Sequence, residues 1–175
     1  MPPIDHRAGR AAPLHRERGG CDDFGNRCSR PKAARQDRDP SPLGGIAISA
    51  DSRTVVAVDD TEPALLLIDT ERERLRGKVR LRGVPQPAQI ARYSPDWSLL
   101  AVTSMNSGTV TLIDPSFEDQ TTVAVGSQPM DMAFYNERLF VACQGDGSIH
   151  VIDVPGGRQV ESFAAGVGCE CLGFF

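Results

Sequence analysis

No apolar run in this chain approaches the ~20 residues needed to cross a hydrocarbon core; the longest, such as Leu65 to Ile68, stop far short. The start of the chain has no apolar stretch of the kind that marks a secretory signal. Basic residues form no sustained stripe, and 19 Lys/Arg stand against 23 Asp/Glu, so general nucleic-acid binding is disfavoured. The G-x-S-x-G nucleophile elbow, both glycine-rich phosphate loops and the C-x-x-C-H of c-type haem attachment are absent. Valine is absent from the first 43 residues, although the chain contains fourteen.

That last absence divides the chain. Residues 1–43 hold only Ile4, Leu14, Phe24 and Leu43 as large hydrophobes, with Pro2, Pro3, Pro13, Pro31, Pro40 and Pro42. Such a segment buries too little to offset the entropy of ordering, and a disordered Pro/Arg-rich tail is expected. Charge splits at the same point: nine Lys/Arg against six Asp/Glu before residue 44, then ten against seventeen after it. The tail's arginines, among them Arg7, Arg16, Arg27 and Arg38, are interspersed with acids and form no block of like charge. A mis-assigned start of the reading frame is an alternative source of this segment.

After Gly44 the chain repeats itself. ALLLID (Ala64 to Asp69), TVTLID (Thr109 to Asp114) and SIHVID (Ser148 to Asp153) end alike, their Ile-Asp pairs 45 and 39 residues apart. Before each comes a strand-like run (TVVAVDD from Thr54, SLLAVTS from Ser98, RLFVACQ from Arg138), and before that another (IAISADS, IARYSPDWS, MAFYNER). After each comes a weaker one closing on Gly83, Gly126 or Gly166. Asn106-Ser107-Gly108 and Gly145-Asp146-Gly147 supply the positive φ angles of tight hairpins. Ser94-Pro95-Asp96-Trp97 reads as a further turn, and Tyr135 to Arg138, two residues shorter, as a tighter one. Helical periodicity is missing, and the reading is an all-β fold of four short strands per unit.

Four strands in about forty residues, repeated in tandem, are the signature of a propeller blade. From Gln86 to Gly126 the order Gln-Pro, Ala-x-x-Ser-Pro-Asp, Leu-x-Val, Thr-Val-x-x-Ile-Asp, Val-Gly resembles the YVTN-type β-propeller repeat. That resemblance implies kinship with lactonase-like propellers and likeness to the haem-binding propeller of nitrite reductases. The blades are expected at 44–83, 84–126 and 127–166, with 167–175 starting a fourth: a partial β-propeller of about three blades plus one strand. Propellers typically have 4 to 8 blades. The shortfall suggests a fragment of a longer product, with two alternatives: chains that close a ring together, or a monomeric arc with its tail folded against one end. Exposed end strands such as LFVAC and the terminal LGFF favour self-association.

In a propeller, loops between blades share an end with the loops joining second to third strands, and ligands of related propellers usually bind there. This places Gln89, Asn106, Asp131, Gln144, Asp146 and Glu170 as candidate ligand-binding residues, the alternative being polar loops that face water. Asp59, Asp60 and Glu62 cluster but lack EF-hand spacing, and no metal site is expected. Cys21 and Cys28 have no C-x-x-C partner, Cys169-Glu170-Cys171 is too close-set for a zinc knuckle, and Cys143 reads as a small buried hydrophobe. A redox or metal role for Cys169 and Cys171 is a minor alternative. His150, between Ile149 and Val151 on a strand, reads as structural or solvated rather than as a general base. Five cysteines without a signal predict reduced thiols in the cytoplasm, or an exported or periplasmic protein if the true N-terminus is missing.

Taken together, these residues predict a non-enzymatic β-propeller binding or scaffold module with no catalytic residues and no cofactor. Its partner is a protein or small molecule, with no nucleic acid and no membrane span. The alternative is a lactonase-like or redox-associated enzyme whose remaining blades lie elsewhere.

Overall fold

The structure is a computed structural model that describes residues 43–169 and 172. The expected tail lies outside these residues apart from Leu43, as do Glu170, Cys171 and the last three residues. Twelve strands run in chain order. Blade 1 contains β1 (Leu43–Ile48), β2 (Thr54–Asp59), β3 (Ala64–Asp69) and β4 (Arg74–Arg80). Blade 2 contains β5 (Ile90–Tyr93), β6 (Leu100–Ser104), β7 (Thr109–Ile113) and β8 (Gln120–Ala124). Blade 3 contains β9 (Pro129–Tyr135), β10 (Arg138–Cys143), β11 (Ser148–Asp153) and β12 (Arg158–Ala164). Each set forms one antiparallel four-stranded sheet in sequence order. No described helix is long and apolar enough to cross a membrane.

The turn chemistry explains why the units repeat. The Asp of each Ile-Asp pair closes the turn into the fourth strand: Asp69 accepts the N–H of Glu71 and Arg72, and Asp114 those of Ser116 and Asp119. In blade 3, Arg158 pairs with Asp153 across the same turn. Between first and second strands, Ser49 donates to Asp51 at 2.6 Å and Ser94 to Asp96 at 2.6 Å. Blade 3 dispenses with this Ser-Asp pair, because Tyr135 and Arg138 are themselves partners and only Asn136 and Glu137 turn the chain. Ser52, Trp97 and Asn136 all take positive φ at these turns, 57°, 61° and 52°.

The strand period of two distributes side chains to the two faces of each sheet. In β6, Leu100 and Val102 join a cluster with Val56, Val58 and Leu65 of blade 1, while Ala101 faces Met132, Leu139 and Val141 of blade 3. Blade 2 is therefore covered on both faces, and all of β6 is buried. The flanking blades are not: Leu43, Ile46 and Ile48 on β1 are 50%, 68% and 44% exposed. On β12, Val160 and Phe163 are likewise exposed.

Candidate functional site

Backbone hydrogen bonds bring the connections between blades and the turns between second and third strands to the same end. Gln89 donates its N–H to Thr103 O at 2.8 Å, Gln144 to Gln128 O at 3.0 Å, and Gly145 to Ser127 O at 3.0 Å. Four of the sequence-predicted residues lie on these segments. Gln89 joins blades 1 and 2: its carbonyl accepts the Gly45 N–H, and a side chain at Gly44 or Gly45 would collide with that carbonyl. Its own side-chain Oε1 is buried without a hydrogen-bond partner among the described residues. Asn106 is exposed in a 3₁₀ turn (Met105–Ser107), and Gln144 is half-buried beside the blade 2–3 connection. Asp146 sits in the β10–β11 turn.

Asp131 is placed differently, on the innermost strand of blade 3, where its carboxylate is engaged three ways. Oδ1 accepts Arg92 Nη2 of β5 at 3.1 Å and the Met132 N–H at 2.8 Å, and Oδ2 accepts the Leu172 N–H at 3.0 Å. It ties successive inner strands together. Glu170 lies outside the described residues.

The corner where the second strand turns into the third carries most of the polar chemistry, and each blade fills it differently. In blade 1, Asp59 is fully buried and accepts from Lys78 Nζ at 2.8 Å, from the Thr61 hydroxyl at 2.6 Å, and from the N–H groups of Thr61 and Glu62. Burial pushes the Asp59 carboxyl up, but these donors outweigh it and hold it at about 2. Lys78, which also reaches Glu62 at 3.1 Å, is raised by the same contacts.

In blade 2 the corner is made of hydroxyls. Ser104, Ser107 and Thr109 each bury an oxygen that has no partner among the described residues. With Gln89 Oε1 they make four unpartnered oxygens on neighbouring segments, one acceptor and three hydroxyls that can donate or accept, each costing about 1–3 kcal/mol unless water or a ligand satisfies it.

In blade 3 the corner gathers Cys143, Asp146 and His150, whose ligating atoms lie within 4.8 Å of one another. Register explains the gathering: Cys143 faces Ser148 across the hairpin, so Cys143, Ser148 and His150 share one face, and Asp146 closes the turn above them. The Ser148 hydroxyl donates to Asp146 Oδ1 at 2.5 Å and lies 3.0 Å from His150 Nε2, and the Ser127 N–H donates to Asp146 Oδ2 at 2.9 Å. Ser148, then Ser127 and the nearby His150, hold the Asp146 carboxyl below its usual range. Burial drives the Cys143 thiol up to about 11 against a hydrogen bond from Gly126, with Asp146 and Cys169 adding to the rise. Cys143, expected as a small buried hydrophobe, and His150, expected as structural or solvated, meet at this corner. The signal that joins them is C-x-x-D-x-S-x-H, with Gly on either side of the Asp, folded across one two-stranded turn.

Three four-stranded antiparallel blades packed face to face define part of a β-propeller. No protein-family model matches the sequence, and no curated protein does. Among solved structures the chain is similar to hydrazine synthase of Kuenenia stuttgartiensis, at 21% identity and a TM-score of 0.64 over 79% of this chain and 40% of that one. It is also similar to the periplasmic gluconolactonase PpgL of Pseudomonas aeruginosa, at 20% identity and 0.62 over 75% of this chain and 42% of that one. U3-55K matches at 16% identity and 0.60, over 71% and 39% respectively. At these identities the likeness is one of fold. The chain spans about two fifths of each of these structures.

Proposed function

We propose that the chain is a non-catalytic propeller module of the YVTN repeat type that binds a polar ligand, a protein segment or a small molecule, at its loop end. The observation that carries this reading is the group of buried, unpartnered oxygens of Gln89, Ser104, Ser107 and Thr109, all on the blade 2 side of that end. Buried polar atoms are normally satisfied, and polar groups of a bound ligand or ordered water would satisfy these. Asn106 and Gln144 add exposed and half-buried amides at the rim. The exposed apolar residues of β1 and β12 support a ring completed by further blades, as part of a longer protein.

Solution mass by light scattering coupled to size exclusion tests the ring. A polydisperse or aggregated profile for 1–175 is expected if blades are missing, and a single defined oligomer would replace that reading with closure by several copies. Ligand screening then belongs on the closed form, where Ser104→Ala with Thr109→Ala should reduce binding about tenfold or more if the hydroxyls are the contacts.

A second reading, a lactonase-like or redox-associated enzyme, is favoured by one feature: the hydrogen-bonded line His150–Ser148–Asp146, which can hold and relay a proton. Its likeness to a gluconolactonase motivates the assay. A closed, full-length protein that neither opens a lactone nor binds a redox cofactor removes it.

A further inference from the structure

The corner of blade 3 differs from the other two in assembling sulfur, nitrogen and oxygen donors of three types around one small space. Gly126, in the connection that follows β8, forms the floor of that space. A Cβ built on Gly126 would collide with Asp146 Oδ2, lie 2.6 Å from His150 Nε2 and 2.9 Å from Asp146 Oδ1. The carboxylate and the imidazole therefore converge on Gly126 and pack directly against its backbone, a close approach that only glycine permits. Cys143, paired with Ser148 across the hairpin, shares a face with His150, which brings the third donor to the same corner. His150 also has hydrogen-bonding capacity that the fold does not use, because its Nδ1 is buried with no partner among the described residues.

We propose that Cys143, Asp146 and His150 form a binding site for a zinc-class divalent cation, with the fourth tetrahedral position open toward solvent at the loop end. The donor set suits the metal: thiolate, imidazole and carboxylate together select a borderline cation such as Zn²⁺ over the hard ions Ca²⁺ and Mg²⁺. The dimensions suit it too. Bonds of about 2.0–2.3 Å place tetrahedral ligands roughly 3.2–3.8 Å apart, so donors already within 4.8 Å need close by only about an ångström. The Ser148 proton goes to Asp146, so His150 Nε2 donates to Ser148; metal binding moves that imidazole proton to Nδ1, whose hydrogen bonding the fold leaves unused, and the thiol gives its proton to solvent as the sulfur–metal bond forms. The open side lies at Asp146, the exposed member of the set, while Cys143 anchors the site in the core. This inference is independent of the ligand-binding reading above, whose oxygens belong to the blade 2 corner.

The test uses the full chain with Cys21→Ser and Cys28→Ser, so that thiols of the N-terminal segment do not contribute. The protein is stripped with a chelator under reducing conditions and titrated with Co²⁺, then with Zn²⁺. Expected are one Co²⁺ per chain, a sulfur-to-cobalt charge-transfer band, d–d bands of tetrahedral intensity, and loss of all three on adding an equivalent of Zn²⁺. Cys143→Ser should abolish the charge-transfer band, and Asp146→Asn and His150→Gln should each weaken Zn²⁺ by about tenfold or more. Asp146 is exposed, so its variant probes the site without disturbing the core. Gly126→Ala keeps every ligand but pushes the Asp146 carboxylate and the His150 imidazole aside, and it should weaken Zn²⁺ comparably while the far-ultraviolet dichroism stays that of the parent. Absence of a tetrahedral cobalt spectrum overturns the proposal, as does a charge-transfer band that survives Cys143→Ser.

Discussion

Asp59 in blade 1 and Cys143 in blade 3 occupy the same place, the last residue of a second strand, and both are fully buried. Around Asp59 every hydrogen-bonding need is met inside the blade: one cation, one hydroxyl and two backbone N–H groups converge on the carboxylate. Around Cys143 the thiol, the Asp146 carboxylate and the His150 imidazole lie within 4.8 Å of one another against Gly126, and one imidazole nitrogen has no partner among the described residues. A repeat fixes where a corner lies and which way its side chains point. It leaves open whether that corner consumes its own polarity or presents it. A corner that consumes it contributes to stability, and one that presents it is free to bind.

The largest expected consequence of this difference is in stability. Asp59→Ala leaves Lys78 with Glu62 alone and strands three further donors, and should cost about 2–3 kcal/mol, read from the urea midpoint. In metal-free protein His150→Ala removes a single hydrogen bond and should cost about 1 kcal/mol or less. Equal losses would erase the distinction between the two corners.

Acid sharpens the contrast. The folded Asp59 carboxyl, at about 2, lies below its unfolded value near 3.9. Its contribution is therefore complete above about pH 4 and is lost as pH falls through about 2. The urea midpoint of the parent should drop between pH 5 and pH 2, and that part of the drop should vanish in Asp59→Asn, compared at the same two pH values.

A smaller effect is expected where blades are joined. Asp131→Asn weakens the bond to Arg92, whose side chain is 45% exposed, and the bond to the Leu172 N–H. A loss of about 1 kcal/mol is expected, since partly exposed pairs are weak. A much larger loss would mean that this inner-strand link, and not the apolar clusters, holds blades 2 and 3 together.

The smallest concerns the turns. Trp97 adopts φ 61° where blade 3 has Asn136 at 52°, and asparagine tolerates this region better than a bulky side chain. Trp97→Asn gains there what it loses by giving up the tilted contact with Tyr93, whose ring centroid is 5.3 Å away. The net change should stay within about 0.5 kcal/mol, measured by thermal unfolding.

Much of the fold was legible because its causes are local. Alternation such as that of β6, the Asn106-Ser107-Gly108 turn and the turn-closing Asp of each Ile-Asp pair act over a few residues, and their recurrence exposes the blade. The sequence by itself therefore determined the strands, their order and the end of the sheet at which the polar turns gather. It also placed Gln89 and Asp146 on that end. It did not show that Asp131 would be engaged by Arg92 and Leu172, partners 39 and 41 residues away. Nor did it show that Gly126 would lie beneath Asp146 and His150, or that Gln89 and three hydroxyls of blade 2 would be buried without partners. Those outcomes were decided only by tertiary structure, because they depend on how one blade's connection packs against the next blade's hairpin. Turn chemistry and strand period carry no information about that contact until the sheets have stacked.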